Sequence, residues 1–125
     1  MKLNEISGQI VDAAMKVHTS LGPGLLESVY GACLAHELRR RELTVATEVP
    51  LPVTYEGIKI ECGYRLDLLV ENQVIVELKS VADLGPIHQA QLLSYLKLSG
   101  KKLGLLINFN VIHLRDGIKR LANDL

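Results

Sequence analysis

Residues 65–79, RLDLLVENQVIVELK, restrict the fold of this chain more than any other stretch. Two apolar runs of strand length flank the polar tripeptide Glu71-Asn72-Gln73, and both carry charges: Asp67 in the first, Glu77 and Lys79 in the second. A charge inside an apolar strand is costly to bury unless it is paired or binds an ion. Side chains alternate along a strand, so Glu77 and Lys79 share a face with Ile75, and Asp67 shares one with Arg65 and Leu69. A three-residue loop through Glu71-Asn72-Gln73 sets Asp67 across from Glu77, whereas a two-residue loop puts the carboxylates on opposite faces. Chemistry that uses both carboxylates demands the first register.

Two carboxylates side by side repel and require a cation. Lys79 alone would make a structural ion pair on a sheet face; a divalent metal is the other solution, because carboxylate oxygens suit Mg²⁺ or Mn²⁺. Burial cost does not separate the two. The same register sets Arg65 opposite Lys79, which is unfavourable unless an acidic group or a phosphate lies between them.

The remaining segments supply helices and a sheet. Ile6, Ile10, Ala13, Ala14 and Val17 recur at helical spacing after Asn4 as an N-cap, and LGPG at 21–24 stops that helix. A second helix is expected from about Leu25 to Arg41, burying Leu26, Tyr30, Cys33, Leu34 and Leu38. TVATEVPLPVTYEG alternates like a strand, and its Pro50 and Pro52 point to an edge or a bulge. IKIECGYRLDLLV continues after a Glu56-Gly57 turn, and QVIVELKSV is β-branched. Pro86 and Gly100 bracket a third helix, and KLGLLINF reads as a buried strand. The tail VIHLRDGIKRLANDL offers a short strand, a turn at Asp116-Gly117 and a last helical turn. The order α-α-β-β-β-α-β, with a final β left open, makes an α/β fold: an antiparallel meander plus a crossover strand in a mixed sheet flanked by helices.

At 125 residues and 48% hydrophobic, one domain (1–125) with a filled core is expected. Lys+Arg and Asp+Glu are equal at 14 each, so any nucleic-acid binding must come from a local patch. Cys33 and Cys62 have no CxxC spacing and read as reduced core residues. MKLNEISGQI lacks the pattern of a signal peptide and no apolar run reaches membrane-spanning length, so a cytoplasmic setting without membrane partners is the expectation.

Asp67, nine intervening residues and then Glu-Leu-Lys resemble the signature of the PD-(D/E)XK nuclease superfamily, whose core has the same α-β-β-β-α-β order. With GPGLLESVY, in which Gly24, Glu27 and Tyr30 stand three apart, the chain resembles more closely the GxxExxY proteins of that superfamily, from about Ile10 to Asn123. Leu66 stands where the superfamily's name has proline. The resemblance implies a restriction-endonuclease-like core with Asp67, Glu77 and the Leu78 carbonyl as metal ligands, and Mg²⁺ or Mn²⁺ as cofactor. It implies that Lys79 orients or activates the attacking water, and that Glu27 reaches the site directly or through a metal-bound water. The rival account of Glu27 is an acidic residue serving a helix dipole.

His88, Gln91 and Tyr95 form a polar stripe on the third helix. Gln91 and Tyr95 are similar to a Gln-x-x-x-Tyr pattern of nucleases acting on DNA ends, in which the glutamine helps hold the site and the tyrosine approaches the nucleic acid. Tyr95 as a core aromatic and Gln91 as an ordinary helix position is the equal alternative. His88 reads as a solvated or capping residue, and His18, His36 and His113 show no partner pattern. Candidates for contact with nucleic acid are Tyr95, Tyr30, Lys101 and Lys102, with Arg39, Arg40, Arg41, Lys119 and Arg120 as further cations. With four tyrosines and one phenylalanine, no aromatic-rich stacking platform is visible, so tight gripping of single strands is not expected. The reading is a metal-dependent nuclease-fold protein hydrolysing nucleic acid, DNA ahead of RNA. The alternative is a catalytically silent binding module on the same fold, and a homo-oligomer stays open. A small-molecule hydrolase ranks last for want of a Ser-His-Asp or Cys-His set.

Overall fold

Helices α1 (Leu3–Leu21) and α2 (Glu27–Arg40) open the computed structural model, which describes residues 1–125. Strand β1 (Val45–Pro50) leads into a small hairpin, β2 (Val53–Tyr55) and β3 (Ile58–Ile60), and then into β4 (Arg65–Val70) and β5 (Val74–Lys79). Helix α3 (Pro86–Ser99) crosses to β6 (Leu103–Asn108), and a 3-10 turn (Leu114–Gly117) precedes β7 (Ile118–Ala122). Five strands form one mixed sheet in the order β1-β4-β5-β6-β7, with only β5 and β6 parallel. The α/β meander-and-crossover plan expected from the sequence is the one observed.

The sheet is covered on both faces. Val74, Val76 and Leu78 of β5 face α1 and α2, joining Ile6, Ile10, Tyr30 and Leu34 in the larger core. Ile75 and Leu106 face α3, where Leu92 and Leu96 cover them. Every residue of β6 is buried, as a central strand with helices on both sides requires. Gly104 admits α3 closely: a Cβ there would lie 3.0 Å from Leu92 Cδ1. Helix α3 starts at Pro86 with the Gly85 N–H donating to His88 Nδ1 at 3.1 Å, so His88 is a capping residue, and it ends on left-handed Gly100.

Several local expectations need correction. Segments 44–57 and 58–70 are not single strands; each breaks, and their inner halves form the separate β2–β3 hairpin on the Glu56-Gly57 turn. Pro50 does end an edge strand, since β1 pairs with β4 alone. Asn4 is not the cap of α1. It lies inside the helix and accepts from Arg120, while the Lys2 N–H is met by Glu5. Leu26, expected inside, is 72% exposed, because α2 begins one residue later. Cys62 is exposed in the β3–β4 connection and not in the core. In the tail the 3-10 turn comes first and the strand follows it. His18 has a partner after all: its Nε2 lies 2.8 Å from the Val111 carbonyl. No helix is long and apolar enough to cross a membrane.

Candidate active site

The β4–β5 ladder pairs Val70 with Val74, Leu69 with Ile75 and Leu68 with Val76, and then stops. The loop is therefore Glu71-Asn72-Gln73, turned by left-handed backbone at Glu71 and Asn72. Extended by one step, this register sets Asp67 opposite Glu77, at the point where the strands part. From there β4 pairs only with β1, and β5 only with β6. The carboxylates stand in for the missing rungs. Asp67 N–H donates to Glu77 Oε2 at 2.8 Å, and Leu78 N–H donates to Asp67 Oδ2 at 2.8 Å. Because the strands have separated, the expected rung between Arg65 and Lys79 does not form. Neither cation makes an ion pair elsewhere.

Glu77 is 5% exposed. Burial, and then the neighbouring Asp67, push its pKa up to about 8, so the metal-free side chain keeps its proton at neutral pH. Burial also raises Asp67. Each carboxylate gives one oxygen to a backbone amide, and the other has no protein partner. No buried side-chain oxygen lacks a hydrogen bond, so those free oxygens open to solvent. Two hard oxygens aimed outward, held from behind and short of negative charge only because one is protonated, suit a divalent cation. No three His, Cys, Asp or Glu side chains converge into a ready-made cluster. A bound ion would keep several waters, as Mg²⁺ does.

Helix α2 delivers Glu27 to the same edge. Its Oε2 accepts from Ser80 N–H at 3.3 Å, one residue past Lys79, and the Ser80 hydroxyl donates to the Leu25 carbonyl at 2.7 Å. The helix sits low on β5 because Gly31 has no side chain; a Cβ there would lie 3.3 Å from Leu78 Cδ1. Tyr30 is fully buried, stacked on Phe109 at 4.4 Å. Its hydroxyl donates to the Gly22 carbonyl at 2.5 Å and accepts from Leu25 N–H at 3.1 Å. It therefore pins the loop before α2 and has no surface with which to touch nucleic acid, contrary to its place among the contact candidates.

Three residues at this edge went unmarked in the sequence. Glu48 carries left-handed backbone (φ 51°) in the middle of β1. It falls at the one gap in the β1–β4 ladder, between Thr47–Leu68 and Val49–Leu66, which places it opposite Asp67. Glu27, Arg39, Glu48 and Asp67 line a shared cavity of about 560 Å³. Positive φ at a residue other than Gly, Asn or Asp is uncommon and costly, and no sequence pattern announces it. Asn108 is buried and uses its amide as a backbone would: Oδ1 accepts from Val81 N–H at 3.1 Å and Nδ2 donates to the Val81 carbonyl at 2.9 Å. This clamps the chain just past Lys79; the polar interruption in INFN was its only signal. Tyr64, in the segment before β4, lies 5.8 Å from the Tyr95 ring.

Tyr95 is 6% exposed on α3, and its hydroxyl is raised by burial first and then by the nearby Glu77. Gln91, one turn earlier, is half-buried and makes no hydrogen bond to the carboxylates. Lys101 and Lys102 lie at the other end of the sheet: Lys101 Nζ donates to Asn72 in the hairpin loop, and Lys102 Nζ to the Asp124 carbonyl. Arg40 and Arg41 converge on Glu37, and Arg120 is held by Asn4. The cations near the carboxylates are Lys79 and, across the shared cavity, Arg39; Arg65 stands two residues before Asp67 on β4.

Searches among curated proteins and among solved structures each found no match. A family model described as the PD-(D/E)XK nuclease superfamily matches residues 4–121, which take in α2, the split hairpin and the crossover unit. By that match, over nearly its whole length, the chain belongs to the PD-(D/E)XK nuclease superfamily.

Proposed function

We propose that this protein hydrolyses phosphodiester bonds of nucleic acid with a divalent metal, Mg²⁺ or Mn²⁺, at Asp67, Glu77 and Lys79. The observation that carries the reading is the parting of β4 and β5 at Asp67 and Glu77, with an unpaired Lys79 beside them. A purely structural ion pair would bring the Lys79 ammonium onto a carboxylate, and no such contact is made. Divalent metals are typical of the superfamily.

Asp67 and Glu77 would hold the ion through their free oxygens, with the Leu78 carbonyl as a third ligand and Glu27 reaching it through a water. When bound, the ion polarises the phosphoryl oxygen and lowers the pKa of a coordinated water. To hold an ion, Glu77 would have to release the proton that it carries at neutral pH. Lys79, beside the two carboxylates, would orient the attacking water and balance the charge of the phosphate. Gln91 would help hold the site from α3 once substrate is bound, and Tyr95 would act from beneath the surface. The preference for DNA over RNA rests on the likeness of Gln91 and Tyr95 to the pattern of nucleases acting on DNA ends. Within the superfamily, the spacing of Gly24, Glu27 and Tyr30 supports the reading that the chain is one of the GxxExxY proteins.

The test is incubation of the protein with linear and single-stranded DNA and RNA, with Mg²⁺ or Mn²⁺, beside Lys79→Ala. Metal-dependent cleavage that the variant lacks supports the hydrolase. Nucleic acid left intact under every condition turns the reading to a silent module on the same fold.

A further inference from the structure

Two of the four tyrosines meet beside the split hairpin. Tyr95 lies almost wholly beneath the surface of α3, and the Tyr64 ring leans on it at 48° with centroids 5.8 Å apart. Tyr64 is still 46% exposed, so nearly half of the residue is open to solvent. Its backbone is fixed, since the Tyr64 carbonyl accepts from Leu51 N–H at 2.9 Å. The next residue, Arg65, is exposed and has no ion pair or side-chain hydrogen bond. At about 3.3 Å per residue, Tyr64 stands about 10 Å along the strand from Asp67, within reach of an extended nucleotide or two.

An exposed aromatic ring that is pre-positioned, backed by a second ring and flanked by a free guanidinium suits one ligand chemistry: a nucleobase on the ring and its phosphate on the cation. We propose that Tyr64, supported by Tyr95, is a stacking platform for an unpaired base next to the phosphate at Asp67 and Glu77. The substrate is then a single strand or an overhanging end, not continuous duplex, because a base inside a helix has no free face to offer. The inference rests on the hydrolase reading only for where the phosphate lies.

Fluorescence anisotropy with labelled oligonucleotides tests it, with Ca²⁺ replacing Mg²⁺ to keep strands intact. The ligands are a single strand, a blunt duplex and that duplex with an overhang. Wild type is expected to bind single strand and overhang at least about fivefold more tightly than blunt duplex, the low end of what one stacked base gives. Tyr64→Phe keeps that advantage and Tyr64→Ala loses it. Tyr64→Leu, which still covers Tyr95 but has no aromatic face, also loses it and serves if the alanine variant unfolds. Equal binding of blunt duplex and single strand by wild type, full single-strand affinity in Tyr64→Leu, or no binding of single strand would each overturn the proposal. The cleavage assay is scored separately. Cleavage without any Tyr64 effect removes the platform alone; a Tyr64 effect without cleavage removes the hydrolase alone.

Discussion

The Asp67 amide donates to Glu77 Oε2 at 2.8 Å, where β4 and β5 cease to pair. The bond holds one carboxylate with the backbone of the other and fills a rung that the ladder leaves open. It also keeps Glu77 buried beside a second acid, the cause of its raised pKa. Such a pair is uncomfortable without a cation and comfortable with one.

Stability should therefore fall with pH in the metal-free protein. Unfolded Glu77 releases its proton near pH 4.5, whereas folded Glu77 holds it to about 8. Between these values the unfolded chain binds fewer protons, so stability declines as pH rises through that window. At about 1.4 kcal/mol per pH unit across that window, Glu77→Gln is expected to be roughly 4–5 kcal/mol more stable than wild type at pH 9 in EDTA, and nearly equal to it near pH 4.5. Urea melts at the two pH values check this; an unchanged difference between them counts against a protonated Glu77.

Glu27 separates a helix-dipole role from a place in the site. As a dipole partner alone, Glu27→Gln costs about 0.3–1 kcal/mol and leaves Mn²⁺ affinity unchanged. As part of the site, it relieves repulsion toward Asp67, so the metal-free variant is neutral or stabilised while Mn²⁺ binding weakens. Thermal melts with and without Mn²⁺ read both, and we expect the second pattern.

Glu48 carries strain that glycine removes. In an ordinary strand a glycine costs about 0.5–1 kcal/mol, but left-handed backbone costs an L-residue about 1–2 kcal/mol. Glu48→Gly is expected to be neutral or stabilising by about 1 kcal/mol, and Glu48→Val to be destabilising by about 2 kcal/mol. Denaturant melts of both settle it, and a destabilised glycine variant would mean that Glu48 is unstrained.

Asn108 should matter more than its distance from the carboxylates suggests. Asn108→Ala leaves the Val81 N–H without its partner and removes one donor from its carbonyl, for a loss of about 1–3 kcal/mol. A variant within 0.5 kcal/mol of wild type, on the usual scale for surface changes, would show that the clamp is dispensable.

Periodicity makes legible what is buried on one face. The register of β4 and β5 could be framed from the sequence as a choice of loop length, because a slip of one residue would send the Asp67 and Glu77 carboxylates to opposite faces. The end signals of α3 were equally readable, since Pro86 and Gly100 act locally. Nothing local marks Glu48, whose backbone is set by its neighbours, or the Tyr64–Tyr95 meeting, which joins a loop to a distant helix. Tyr30 shows the opposite limit. Its spacing with Glu27 suggested a shared function, yet one turn of helix turns the glutamate to the site and the tyrosine into the core.

The most direct test of a cation site at Asp67 and Glu77 is the proton released when Mn²⁺ binds. Calorimetry at pH 7 in two buffers of different ionisation enthalpy reads that proton as a difference in heat. The account predicts release of about one proton by wild type, because Glu77 is protonated until the ion arrives, and none by Glu77→Gln. Mn²⁺ heats that are the same in both buffers, or the same for wild type and Glu77→Gln, would contradict it.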